Sequence, residues 1–382
     1  AFPFIARAQA IKSPNHRLNV ACVGVGGRGR VAVAAMADEN RVAFCDVDDA
    51  RAAETFKELP DVPRFRDYRK MFDQLGNKID AVTISTPDHM HFPIAMAALA
   101  LGKHVFVEKP LTHTIAEARQ LARLATEKKV ATQMGNQGHA NEGTRVLKEW
   151  IQAGVLGNVR EVHSWTDRPS WPQGVGAPDH SKMVPVTPAS LDWDLWLGVA
   201  AARPYDPAFL PFTWRGYWDF GTGALGDMGC HTMDGPFFAL DLDGPTHIEA
   251  IGARATAQSG PTSSLIVFKF PAKGTRPALT WTWYDGGLKP PAPPELESSR
   301  KLLDNGSLII GSNATVLLDV YSASPKICYS KTLVPMHPSR LQTLVSHASW
   351  TSTQPHCVQP HRRQLCWALQ YMQVCDIDAL SR

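Results

Sequence analysis

Residues 18–30, Leu-Asn-Val-Ala-Cys-Val-Gly-Val-Gly-Gly-Arg-Gly-Arg, decide the fold. A short apolar strand, Leu18 to Val23, runs straight into Gly24-x-Gly26-Gly27-Arg28-Gly29, and Gly29 to Ala37 then reads as a helix of small residues. Arg41 to Cys45 is a second strand that ends on Asp46. Strand, glycine turn, helix and strand make a β-α-β unit, in which backbone amides and the helix dipole cradle a pyrophosphate where side chains would clash. Asp46 stands about twenty residues beyond the glycines, where a carboxylate accepts ribose hydroxyls and repels a 2′-phosphate. The pattern favours NAD over NADP. A tight turn without ligand and a solvated strand end are the plainer readings, and together they account for the context less well. Arg28 and Arg30 can touch phosphate or adenine, or lie on a solvated helix face.

Working outward, the alternation continues. It predicts a helix near Tyr68 to Leu75, a strand at Ala81 to Ser85, a helix after Pro93 and a strand at Val105 to Val107. A helix at Ile115 to Lys128 and a strand at Val130 to Met134 follow. Thr114 and Glu117 stand at capping-box spacing ahead of Ala118, Leu121, Ala122 and Ala125, which recur at helical period. Continuous apolar strands separated by helices imply a parallel sheet covered on both faces.

After Gly138 the pattern changes to a helix around Thr144 to Gln152 and then β-branched and aromatic runs at Val159 to Trp165, Thr246 to Ala255, Leu265 to Phe270, Ala278 to Tyr284 and Ser307 to Leu318. These predict an antiparallel sheet. The long insertion Thr166 to Leu242, rich in Trp, Pro and Gly, is where substrate loops usually sit, and Lys289 to Pro294 reads as a surface turn.

Composition fits this division. At 382 residues and 44% hydrophobic content the chain is too long for one core, so two domains are expected. A net charge of +3, from 39 basic and 36 acidic residues without a basic run, gives no reason to expect nucleic acid or an anionic membrane. No apolar run approaches the roughly twenty residues of a spanning helix. The expected partner is a small molecule. Seven cysteines without a Cys-x-x-Cys pair fit neither a zinc ribbon nor a disulfide scaffold, and Cys22 and Cys45 read as core thiols. Ala6-Arg7-Ala8 and Ala8-Gln9-Ala10 resemble small-x-small cleavage sites, so residues 1–15 are expected to be a leader remnant of an exported protein or a flexible arm, with a cytoplasmic protein as the alternative.

Several polar residues fall where strands of the parallel sheet end, the crevice in which such folds bind ligands. Thr86-Pro87-Asp88-His89-Met90-His91 follows the fourth strand, and either His89 or His91 can face a nicotinamide, cap a helix or lie on the surface. Glu108-Lys109-Pro110 follows the fifth strand. Pro110 can hold a cis bond that fixes the direction of Lys109, whose ammonium can donate to a hydroxyl oxygen becoming an alkoxide; an exposed strand-end lysine is the alternative. Asn136, after the sixth strand, joins these candidates for cofactor contact. In Gly223-Ala-Leu-Gly-Asp-Met-Gly-Cys-His231, Asp227 and His231 share a helix face, so His231 can act as general base with Asp227 orienting it or the substrate. No third ligand stands at metal spacing, so no metal is expected and a structural Asp-His pair is the plainer reading. Trp165, Arg168, Trp171, Trp193, Trp196, Trp214 and Trp218 crowd one region; flat rings with polar neighbours suit sugars, and Trp165, Arg168 and Trp171 stand foremost because they end or follow the first strand of the second sheet.

The glycine fingerprint, Thr86-Pro87-Asp88-His89, Glu108-Lys109-Pro110 and Gly226-Asp227-x-Gly229-x-His231 together resemble the glucose-fructose oxidoreductase and inositol dehydrogenase (Gfo/Idh/MocA) family over roughly residues 16 to 326. The resemblance implies an α/β fold: an N-terminal NAD-binding Rossmann domain, 16–137, and a C-terminal α+β domain, 138–326, whose open antiparallel sheet serves the substrate and a homo-oligomer interface. It also implies that His231 takes a hydroxyl proton while hydride leaves for the nicotinamide, with Lys109 stabilising the alkoxide and Asp227 the family's catalytic aspartate. Two enzymatic readings follow, an oxidoreductase of sugars or polyols and a redox-neutral NAD-dependent glycosidase. The second oxidises a sugar hydroxyl transiently, eliminates the glycosidic substituent, adds water and returns the hydride. A sensor of sugar or NAD without turnover is the third reading, and retention of Lys109, Asp227 and His231 argues against it. Residues 327–382, with Cys328, Cys357, Cys366 and Cys375 and weak periodicity, depart from the family pattern, as a diverged lineage or a shifted reading frame would.

Overall fold

A computed structural model describes residues 17–294 and 301–329; the expected leader, 1–15, and residues 330–382 of the atypical tail lie outside the described residues. The chain divides into two compact units.

The first unit is built on β1 (Asn19–Val23), α1 (Gly29–Ala35), β2 (Asn40–Cys45), α2 (Asp49–Glu58), β3 (Arg64–Phe65), α3 (Tyr68–Leu75), β4 (Ala81–Ile84), α4 (Asp88–Ala100), β5 (His104–Glu108), α5 (Ile115–Lys128) and β6 (Thr132–Gly135). The strands pair in parallel in the order β3-β2-β1-β4-β5-β6. The order reverses between β1 and β4, so the ligand crevice opens beyond their carboxyl ends. Val20, Cys22, Val25 and Phe44 form a buried cluster with Phe56 of α2. The Thr114 hydroxyl accepts from the Glu117 amide while Glu117 reaches back to the Thr114 amide, completing the expected capping box. Two helices depart from the sequence reading. The α2 helix has no apolar stripe long enough to announce it and is started by Asp48, which accepts from the Ala50 and Arg51 amides. The α4 helix begins five residues before Pro93 and keeps that proline inside, because burial of Asp88 to His91 on all sides outweighs the one backbone bond that proline removes.

The second unit starts with α6 (Glu142–Gln152) and β7 (Val159–Trp165). The chain then leaves it. Residues 178–214 and 219–221, inside the insertion that the sequence reading gives to the second domain, pack within the first unit. Their helix α7 (Trp193–Leu197) is introduced by backbone bonds from Asp49 to Ser190 and from Asp192 to Val47. Trp193 and Trp196 stack at 4.9 Å, and Trp196 meets Phe220 edge-on, so these tryptophans are core.

The rest of the second unit is α8 (Gly223–Thr232), α9 (Asp234–Ala239), β8 (His247–Ala253), β9 (Ser263–Phe270), β10 (Leu279–Tyr284), β11 (Gly306–Gly311), β12 (Ala314–Asp319) and β13 (Lys326–Tyr329). Its sheet runs β13-β12-β11-β7-β10-β9-β8. It is mixed, not wholly antiparallel: β7 and β10 are parallel neighbours at its centre. A parallel pair needs a long crossover, and the excursion after β7 supplies one. The run Ser307 to Leu318 folds as the hairpin β11–β12, turning at Ser312-Asn313. Among the described residues no helix is long and apolar enough to cross a membrane.

Trp281 and Trp283 alternate toward one face of this sheet and are fully buried. The Trp281 indole N–H donates to the Ser164 hydroxyl (3.0 Å), which pairs with the Ser307 hydroxyl (2.7 Å), which donates to the Thr232 carbonyl (2.7 Å). This buried relay ties three central strands to the last turn of α8. Ser164→Ala strands the indole donor, and the expected cost is about 1–3 kcal/mol of stability, read from the denaturant midpoint. An unchanged midpoint would show that the relay contributes nothing.

Candidate active site

One cluster of candidate residues belongs to the first unit. Gly24 adopts φ +74°, and a Cβ there would stand 2.6 Å from the Ser85 carbonyl oxygen; one on Gly29 would stand 1.8 Å from the Gly24 carbonyl oxygen. Only glycine lets the loop approach β4 and its own helix so closely. Asp46 Oδ2 accepts from the amides of Val25 (2.9 Å) and Gly26 (3.2 Å), and Oδ1 accepts from Asp48 (3.1 Å). Burial pushes the Asp46 carboxyl up, and these amide bonds oppose the shift. Asp46 therefore shapes the glycine loop, and a carboxylate oxygen with two lone pairs keeps capacity for a ribose hydroxyl.

Arg28 and Glu108, both expected to touch the cofactor, bind each other: Nε donates to Oε1 at 2.9 Å across the mouth of the sheet. Arg30 is held by Glu54 and Glu58. At the end of β4 the Ser85 Oγ and Thr86 Oγ1 are buried without a hydrogen-bond partner among the described residues. Buried hydroxyls left open beside a glycine cradle fit a bound dinucleotide. Pro87 introduces α4. Asn136 opens the second unit directly after β6, and its Oδ1 is likewise buried and unpartnered.

His89 and His91 depart from the nicotinamide-facing expectation. His89 is buried against Trp196 and Phe220, with Nε2 bonded to the Trp196 carbonyl (3.1 Å), and burial lowers its pKa to about 4. His91 is buried with Nδ1 2.7 Å from the Pro110 carbonyl oxygen and Nε2 2.9 Å from that of Thr86. Both rings are internal ties, and His91 fixes the carbonyl next to Lys109. The Lys109–Pro110 bond is cis, as the sequence allows, and Lys109 is half-buried at the carboxyl end of β5.

A separate cluster lies on α8, in the second unit. Gly223 starts the helix at φ +65° beside the Gln173 amide, and a Cβ on Gly226 would stand 2.0 Å from Thr222 Oγ1. These glycines let the helix start against neighbouring side chains. Asp227 and His231, one turn apart, share a face as the sequence predicts. Asp227 Oδ1 accepts from Arg215 Nε at 3.3 Å, and the His231 ring meets Tyr321 edge-on at 5.2 Å. Arg215 and Tyr321 carry no motif signal, because each reaches the helix through tertiary contact.

The foremost aromatic candidates turn out to be scaffold. Trp165 is fully buried with its N–H on the Leu303 carbonyl, and Trp171 is buried with its N–H on Gln173 Oε1, so neither ring shows a face to a ligand. Arg168 pairs with the neighbouring Asp167.

Comparison with known proteins identifies the family and the fold. Residues 18–136 match the oxidoreductase family's NAD-binding Rossmann fold (Gfo/Idh/MocA), and residues 141–268 match an oxidoreductase-family C-terminal alpha/beta domain. A levoglucosan dehydrogenase from Pseudarthrobacter phenanthrenivorans is 25% identical over 57% of this chain and 50% of its own. A UDP-N-acetylglucosamine 3-dehydrogenase from Acidithiobacillus ferrooxidans is 29% identical over 45% and 48%. The chain thus spans about half the length, or less, of the curated relatives it matches. The crystal structure of the WlbA dehydrogenase from Bordetella pertussis, in complex with NADH and UDP-GlcNAcA, shares the fold with a TM-score of 0.63 at 16% identity, covering 95% of this chain and 97% of that one.

A histidine whose pKa is lowered by folding makes stability pH-dependent. The unfolded ring binds a proton below about 6.5 and the folded ring only below about 4, so stability contributed by neutral His89 is complete above the upper value and lost as pH falls through that window. The loss is expected to reach about 3 kcal/mol, and His89→Gln should flatten this part of the stability-pH curve. Equal slopes in both proteins would show that His89 is not the titrating group.

Proposed function

The chain belongs to the Gfo/Idh/MocA oxidoreductase family and uses NAD, and from that premise we propose that it oxidises a hydroxyl-bearing carbon of a sugar or polyol derivative. The observation that carries the reading is α8, which holds Asp227 and His231 on one face with both helix ends anchored. The sugar-oxidising relatives support the substrate class. When bound, NAD supplies the hydride acceptor.

The protein's own residues handle the proton and the charge. The His231 imidazole takes the hydroxyl proton, since a neutral ring nitrogen is a competent base near neutral pH. The Lys109 ammonium donates to the oxygen on which negative charge develops, the kind of interaction that is stronger in the transition state than in the ground state. Asp227 is bound by Arg215, so the pair brings no net charge to the helix face and holds the carboxylate in one orientation for a substrate hydroxyl. The glycine loop, Ser85 and Thr86 hold the dinucleotide, and Asp46 supports the loop and faces its ribose. On the outer face of the second sheet, exposed Ile251 lies opposite half-buried Leu265, which supports a homo-oligomer through that face.

The test is NADH absorbance of the purified protein with NAD across free sugars, polyols and glycosides. Accumulation well beyond one equivalent per subunit establishes the dehydrogenase. Cleavage of a glycoside with no net NADH would replace it with the redox-neutral glycosidase. Lys109→Ala and His231→Ala are each expected to lower turnover roughly a hundredfold or more while NAD affinity stays nearly unchanged. Full turnover in either variant removes that residue from the mechanism.

A further inference from the structure

Four arginines lie on or near the glycine loop, and three are committed to carboxylates. Arg28 binds Glu108, Arg30 binds Glu54 and Glu58, and Arg66 binds Asp49. Arg51 is different: among the described residues its guanidinium has no carboxylate partner. It is also the one laid along the loop. A Cβ on Gly26 would stand 2.7 Å from Arg51 Cγ and 2.6 Å from the Arg51 carbonyl oxygen, and a Cβ on Gly27 would stand 2.6 Å from Arg51 Nη2. Gly26 and Gly27 thus lack side chains at the positions where the Arg51 stem and head pass.

The first turns of α2 are fixed to this loop. The Thr55 hydroxyl donates to the Val25 carbonyl (2.8 Å), and Asp48, bonded through its amide to Asp46, caps the helix at the Ala50 and Arg51 amides. The stem of Arg51 is therefore held in register with the loop while its head remains exposed. A guanidinium is a planar fork that matches phosphate oxygens, and loop amides alone carry only partial charge.

We propose that Arg51 binds the diphosphate of the dinucleotide and supplies the full positive charge that Arg28 and Arg30, spent on carboxylates, do not. This rests on the chain's use of NAD and not on the choice of sugar. The charge relation is simple: a diphosphate carries negative charge, adenosine carries none, and only the former should sense the loss of the guanidinium.

The experiment is calorimetric titration of the full chain with ADP, with NAD and with adenosine, in wild type, Arg51→Ala and Arg51→Lys, at low and at high salt. Arg51→Ala is expected to weaken ADP and NAD by about tenfold at low salt and by less at high salt, with adenosine changed less than about twofold. Arg51→Lys, which keeps the charge and loses the fork, should fall between the two. A matching loss for adenosine would overturn the proposal in favour of stacking on the base, and unchanged ADP affinity would overturn it outright. Adenosine binding in each variant also reports that the site is folded. A protein that oxidises no sugar would sink the substrate reading and leave this binding result standing.

Discussion

The first unit depends on the close approach of three backbones at the end of its sheet. Gly24 lies against the Ser85 carbonyl and Gly29 against Gly24 itself, at separations that exclude any Cβ. From that approach follows the direction of the loop amides, two of which Asp46 gathers on one carboxylate oxygen. The Thr55 hydroxyl then fixes α2 to the loop at Val25, and the buried Ser85 and Thr86 hydroxyls are left at its edge. A methyl group at Gly24 would meet both a forbidden φ and a carbonyl, so the loop, the Asp46 network and the dinucleotide cradle stand or fall together.

In the second unit the corresponding constraint is anchorage of a short helix at both ends. At the start of α8, Gly223 turns at positive φ beside Gln173, whose amide is shared between the Trp171 indole and the Pro261 carbonyl. At its end, the serine relay holds the Thr232 carbonyl to the centre of the sheet. A ten-residue helix has little stability alone, so its face is aimed by these contacts. The buried tryptophans earn their place here. Trp171 and Trp281 do not stack on a ligand; they hold the groups that hold the helix.

How much of this the sequence reveals follows from whether the signal is local. Segments with strong periodicity read almost to the residue, as Tyr68–Leu75, Ile115–Lys128 and Val159–Trp165 do. The glycine fingerprint, Asp46 and the Asp227–His231 spacing are also local, and each lies where the pattern places it. The α2 helix stays hidden because its apolar contacts are few and its start depends on one aspartate cap. The parallel pairing of β7 with β10 and the return of residues 178–214 to the first unit are choices between distant segments, which no window of sequence contains.

The histidines of α4 show why a polar residue at a ligand crevice is not by itself a ligand residue. Both follow the strand at the right edge, and both meet backbone carbonyls: His89 through Nε2 to Trp196, His91 with Nδ1 near Pro110 and Nε2 near Thr86. The sheet edge that receives a cofactor is also where several chain segments end, and their carbonyls need donors if they are buried. A neutral histidine meets that need at one carbonyl, through the single ring nitrogen that carries hydrogen, and burial beside Trp196 and Phe220 keeps His89 neutral by lowering its pKa to about 4. By holding the Pro110 carbonyl, His91 fixes the backbone beside Lys109, so a polar residue at this edge can serve the fold that carries its neighbours and not a ligand.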